Sequence, residues 1–273
     1  MKKIFLITII GLALISVGCL TQQKPISNQP TADQNLNQAT STPPLILENL
    51  VAKVPILIYH HIRPISEKDK ESDKTFIVSP QKLEEQLKYL KDNNFQTISF
   101  ANLANYFAGQ FSLPEKPIII SFDDGLENQY ANALPLLQKY NFTATFFIFT
   151  NPIGRSKNYF TWEQVKELVS LDMEIGSHGK YHYFLNKINQ EELKKEVVES
   201  KEMIEKNLNQ KITAFSYPFG AYNDQVVTLV KEAGYLSARD IVNGVNHTRD
   251  DLYQLKAYFV TEDFPRFISI VKK

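Results

Sequence analysis

The chain predicts an α/β fold built on a parallel sheet, and three observations predict it. Short apolar runs of strand character alternate with amphipathic segments of helical period, which is the pattern of βα units. One such run, Pro117-Ile118-Ile119-Ile120-Ser121-Phe122, ends abruptly in Asp123-Asp124-Gly125. Buried parallel strands read as continuous apolar runs, and α/β sites lie at the carboxyl ends of such strands. The other chemistry-bearing motifs also fall just after strand candidates. The closed form of that arrangement is a barrel with its site at one rim.

Strands are expected at residues 54–60, 118–122, 144–149, 173–177 and 212–217, each a short apolar run. Ser79-Pro80 opens a helix with Ser as cap and Pro in the first turn, and Leu83, Leu87 and Leu90 share one face. Thr161-Trp162-Glu163-Gln164 reads as a capping box. Asn189 caps another helix, with Glu192 at its third position and Leu193, Val197, Ile204 and Leu208 along its buried side. Residues 250–273 are expected to add a last strand and a short helix.

Asp123-Asp124-Gly125 fits a turn, and it fits a site. Two adjacent carboxylates at a strand end repel unless a positive group sits beside them. A divalent cation would meet that need, leaving one Asp as ligand and the other as base. Glu174-Ile175-Gly176-Ser177-His178-Gly179-Lys180-Tyr181-His182 is a second apolar segment ending in a polar cluster. Its two histidines, four apart, come to one side of a helical turn or tight loop. The chain has five histidines in all. Neutral imidazole suits zinc and its neighbours. Two His and one Asp leave positions open for water and substrate, the catalytic rather than the structural pattern.

These residues resemble the polysaccharide deacetylases, carbohydrate esterase family 4. Ser121-Phe122-Asp123-Asp124-Gly125 is similar to the family's first motif, usually Thr-Phe-Asp-Asp-Gly. His178-Gly179-Lys180-Tyr181-His182 is similar to the second, His-Ser/Thr-x-x-His. Phe215-Ser216-Tyr217-Pro218-Phe219-Gly220 is similar to the third, Arg-x-Pro-Tyr/Phe. The resemblance runs from about Val54 to Asn246. It implies a distorted, incomplete (β/α) barrel. It also implies Asp124, His178 and His182 as ligands of a divalent metal, with Zn²⁺ preferred, and Asp123 as general base. Tyr217, Pro218 and Phe219 would form a wall of the substrate groove, with the Phe219 N–H binding the oxyanion. Tyr217, Phe219 and Trp162 are candidate sugar-stacking surfaces or core residues.

Three departures from the family pattern stand out. Gly179 replaces the usual Ser/Thr, removing a hydroxyl that would support the second histidine's loop. Ser216 replaces the Arg that orients the base, which leaves the charge environment of Asp123 open. The late Leu-x-His motif that supplies the general acid is missing from residues 252–273. Instead, Val54-Pro55-Ile56-Leu57-Ile58-Tyr59-His60-His61 ends an apolar strand in His. That resembles the branch acting on poly-N-acetylglucosamine, in which the acid comes from the first strand. His60 is assigned as that acid, with His61 as the alternative. Two histidines satisfied by backbone at a strand end are the plain alternative.

The amino terminus sets the compartment. Met1-Lys2-Lys3 precedes an uncharged, mainly apolar stretch to Leu20, the plan of a secretory signal. Cys19, the only cysteine, follows Ser16-Val17-Gly18 and resembles a lipoprotein box, the other reading being a signal-anchor helix. Residues 21–43 form a polar Gln/Asn/Thr/Ser/Pro linker expected to be disordered, spanning roughly 25–30 Å as a coil. Residues 44–273 make the catalytic domain. Thirty basic and thirty acidic residues balance, so no net field attracts nucleic acid. The expected protein is an exported, lipid-anchored enzyme of the cell surface that removes N-acetyl groups from an extracellular polysaccharide. The alternatives are a peptidoglycan or chitooligosaccharide deacetylase with the same site, or a non-catalytic polysaccharide-binding module. Gly176-Ser177-His178-Gly179 does not fit the serine-hydrolase elbow.

Overall fold

The computed structural model describes residues 50–273. The expected signal segment with Cys19, the polar linker and residues 44–49 lie outside the described residues. No helix among the described residues is long and apolar enough to cross a membrane.

Eight strands build the central sheet: β1 (Ile56–Tyr59), β2 (Gln96–Thr97), β3 (Pro117–Asp124), β4 (Thr145–Ile148), β5 (Glu174–Ser177), β6 (Ala214–Ser216), β7 (Ser237–Arg239) and β8 (Tyr258–Phe259). The spatial order is β7-β6-β5-β4-β3-β1-β8, with β2 pairing the start of β3. Every pairing is parallel. Arg239 of β7 also makes a parallel bridge to Leu255, on the segment that leads into β8. The two edges of the curled sheet thus meet through one stretch of chain, closing the barrel incompletely, as the sequence motifs imply.

Both faces of the sheet are buried. Leu57, Tyr59, Ile120, Phe122, Phe146 and Ile148 join one apolar cluster with residues of the surrounding helices. Ile56, Ile58, Ile119, Phe147 and Ala214 join a second, with Phe100, Leu103 and Leu255. Successive strand residues alternate in face, so Asp123 continues the row of Ile119 and Ser121.

The helices are α1 (Pro80–Asp92), α2 (Phe100–Phe107), α3 (Leu134–Tyr140), α4 (Trp162–Ser170), α5 (Gln190–Lys194), α6 (Ser200–Leu208), α7 (Asp224–Glu232) and α8 (Phe264–Val271). Ser79 caps α1, and the capping boxes at Thr161 and Asn189 are both formed. One expectation is corrected: the helix from Asn189 is interrupted. A π-turn at Lys195–Glu199 separates α5 from α6. The carboxyl-terminal segment supplies β8 and α8, whose Phe267, Ile270 and Val271 are buried. The sequence reading had no place for β2, β7, α2, α3 or α7.

Candidate active site and metal centre

The rim where the strands end holds a cavity of about 490 Å³, lined by His60, Asp123, Asp124, His178, His182 and Phe219 among others. β3 runs through both aspartates. Asp123 faces inward and is buried, while Asp124 turns the chain away at φ 78°. Gly125 follows at φ +70°, where a Cβ would meet Ile148 Cγ2 at 2.8 Å. Only glycine fits this turn.

His178 lies just past β5. Its Nδ1–H donates to the Ser216 carbonyl at 2.8 Å, which leaves Nε2 unprotonated and facing the cavity. His182 places its own Nε2 3.2 Å from that atom and 3.4 Å from Asp124 Oδ1. Asp124 Oδ1 is buried with no hydrogen-bond partner. One atom each of Asp124, His178 and His182 lie within 4.8 Å of one another. Buried acceptors converging without a donor are what a divalent cation satisfies, so these residues fit the metal.

Electrostatics agree with the geometry. Burial lowers His178 to about 3 and also lowers His182, so both imidazoles are neutral and ligand-ready at neutral pH. Burial and the neighbouring Asp123 charge push Asp124 up to about 7. In Asp123 the upward pull of burial is outweighed chiefly by the charge and hydrogen bond of Arg239, so its carboxyl sits below the ordinary range.

Arg239 corrects the expectation about Ser216. Fully buried on β7, its Nη2 donates to Asp123 Oδ1 at 2.6 Å and Oδ2 at 2.5 Å, and also to Ser216 Oγ. Arg239 is the register partner of Ser216 on the adjacent strand. The guanidinium that the third motif lacks therefore arrives from one strand further along. The sequence reading missed it. The available signal was weak: one of only five arginines placed next to an Asp after a two-residue polar-apolar run.

His60 follows β1, its ring packed against Phe76 and Phe259, with Nε2 4.0 Å from Asp123 Oδ2. Burial lowers it to about 4. His61 also lines the cavity, but its Nδ1 accepts from Asn128 Nδ2 at 3.1 Å. The fifth histidine, His247, is buried elsewhere and donates to the Val54 carbonyl. Tyr217 closes the cavity floor at 1% exposure, its hydroxyl donating to the Tyr253 carbonyl. Pro218 is also buried. Neither presents an open stacking face. Phe219 is 47% exposed and held at φ 59°, stacked on Phe184 at 4.0 Å. Trp162 lies outside the lining, packed against the core beside Gly154.

The sequence profile of the polysaccharide deacetylases matches residues 111–238. The chain is 30% identical over 246 residues to the polysaccharide-deacetylase-family protein YxkH of Bacillus subtilis (strain 168), covering 86% of this chain and 85% of that one. It is 28% identical over 174 residues to the poly-β-1,6-N-acetyl-D-glucosamine N-deacetylase of Staphylococcus aureus (strain MRSA252), covering 59% of this chain and 60% of that one. Among solved structures, the Streptococcus pyogenes deacetylase PplD in complex with acetate superposes with a TM-score of 0.76 at 25% identity, covering 82% of this chain and all of that one. With this curled parallel barrel, and with both aspartates and both histidines of its motifs gathered at one rim, the chain belongs to the polysaccharide deacetylase family.

Proposed function

We propose that this chain hydrolyses N-acetyl groups on a poly-N-acetylglucosamine-like polysaccharide outside the cell, using a divalent metal, with Zn²⁺ preferred, held by Asp124, His178 and His182. The observation that carries the reading is the convergence of those three ligand atoms beside a buried, ionised Asp123. A metal bound there supplies Lewis-acid polarisation and a water of pKa about 7. Asp123 takes the proton of the attacking water, and Arg239 keeps it ionised to do so. The Phe219 N–H, on the cavity wall, donates to the oxyanion. His60 then protonates the sugar nitrogen as the C–N bond breaks, releasing acetate and an amine. Burial makes His60 neutral at rest. The proton taken from water by Asp123 passes on to His60 Nε2, 4.0 Å from its carboxylate, and from there to the nitrogen.

Acetate release across poly-β-1,6-N-acetylglucosamine, chitooligosaccharides and peptidoglycan is the test. The wild-type chain should act on the first. Asp123→Asn and His60→Ala should each lose about 10²–10⁴-fold in rate while keeping stoichiometric metal. Acetate from peptidoglycan or chitooligosaccharides alone would move the substrate, and glycan binding without acetate release would make this a binding module. If His61→Ala is inactive and His60→Ala is not, the acid is His61.

The reading also has the domain exported and held at the membrane by lipid on Cys19, as the spacing of that cysteine behind an apolar stretch suggests. Wild-type chain should partition into detergent and Cys19→Ala should not be processed; a freely soluble product cleaved elsewhere would refute the anchor.

A further inference from the structure

The loop between the two histidine ligands is held from outside. It turns through Gly179 at φ +85° and His182 at φ +64°. The left-handed region costs a non-glycine residue about 1–3 kcal/mol and persists only where the surroundings over-determine it. Here the surroundings are Glu196. It is fully buried in the π-turn between α5 and α6, a helix irregularity frequent at functional sites. Its carboxylate accepts the N–H of Lys180 at 2.9 Å and of Tyr181 at 2.8 Å. The N–H groups of His182 and Tyr183 add further favourable charge.

Gly179 and Glu196 occupy one space. A Cβ at position 179 would overlap Glu196 Oε2. The carboxylate sits where the side chain of a Ser or Thr would begin, and it accepts from the loop's own N–H groups. The π-turn is tied to the start of the loop as well: Ser200 Oγ donates to the Glu196 carbonyl and pairs with Ser177 Oγ, which accepts the Gly179 N–H at 3.2 Å.

We propose that Glu196 is a positioning residue for the metal centre, replacing from the helix the hydroxyl that the loop lacks at Gly179 and holding His182 in its ligating conformation. The proposal rests on the assignment of Asp124, His178 and His182 as ligands. Outer partners of metal ligands typically contribute 10–100-fold in affinity.

Zn²⁺ affinity, measured by competition with a chromogenic chelator, tests it, alongside the Tm of each metal-free protein. Glu196→Ala should bind Zn²⁺ about 10–100-fold more weakly. Glu196→Gln should lose less, because its amide oxygen still accepts from the loop. Gly179→Ser should also weaken binding, and the double variant Gly179→Ser/Glu196→Ala should lose less than the two single losses multiplied, because truncating Glu196 relieves the overlap. Glu196→Ala with wild-type affinity, whatever its Tm, overturns the positioning role, and so do losses that multiply in full. Should Glu196→Ala not fold, Glu196→Gln decides alone: a loss of about threefold or more supports the proposal and wild-type affinity overturns it. A wild-type chain that takes up no Zn²⁺ overturns the ligand assignment itself, an outcome distinct from failure of the positioning.

Discussion

At the scale of single residues, the site is built from groups held where they would not rest alone. Among the described residues, seven non-glycine residues have positive φ, and four of them are Asn or Asp outside the site, residue types that tolerate it. The other three are Asp124, His182 and Phe219: two metal-ligand candidates and the residue proposed to donate its N–H to the oxyanion. Arg239 shows the same economy in electrostatics. A buried carboxylate needs a buried cation with bidentate reach, and the register of β6 against β7 lets either position 216 or position 239 supply it. Arg239→Met should therefore leave burial to dominate Asp123 and raise its pKa. The base is then protonated at low pH, so activity is lost from the acid side and the acidic limb of kcat/KM moves upward. The exchange Ser216→Arg/Arg239→Ser should return that limb towards wild type. A pH–rate profile unchanged in Arg239→Met would mean that the contact does not set the base.

At the scale of elements, the ends of β1 and β3 bring His60 Nε2 to 4.0 Å from Asp123 Oδ2, and one side chain fastens them. The buried Gln129, in the π-turn Gln129–Ala133, donates to the His60 carbonyl at 2.9 Å and the Asp123 carbonyl at 2.5 Å. It accepts the Leu126 N–H at 3.2 Å. Gln129→Leu should strand those groups at about 1–3 kcal/mol each, seen as a lower urea midpoint with unchanged m; an unchanged midpoint would show the clamp is dispensable. Gln129 also marks what the sequence could convey. The apolar strands β1, β3, β4 and β5 and the capped helices α1 and α4 were legible, because continuous apolar runs and capping boxes are local signals. So were the two motifs that end β3 and β5. Strands β2 and β7 are two and three residues long, too short to carry a period. Arg239 and Glu196 act through register and through a π-turn, and neither is encoded by local spacing. Trp162, open in the sequence between sugar-stacking surface and core residue, is half-buried by α4 against the core.

At the scale of the whole molecule, the candidate metal site couples protonation to stability. In the metal-free protein Asp124 sits at about 7, above its ordinary 3.8. The native state thus keeps a proton that the unfolded chain releases above pH 3.8. This contribution to stability is full below pH 3.8 and is lost as pH rises through about 7. A divalent ion works in the opposite direction. It must displace that proton, whereas burial already keeps His178 and His182 neutral. Metal binding should therefore strengthen as pH rises towards 7, by up to tenfold per unit while Asp124 is protonated. An ion present at a thousand times its Kd adds about 4 kcal/mol to folding. The rise in Tm on adding Zn²⁺ should accordingly be large at pH 7.5 and much smaller at pH 5.5, and chelation should abolish it at both. Calorimetry in buffers of different ionisation enthalpy should show close to one proton released per ion at pH 6, the proton displaced from Asp124. A Zn²⁺-dependent Tm shift equal at the two pH values would mean that Asp124 enters the metal-free site already ionised, and that Arg239 shields it as well as Asp123.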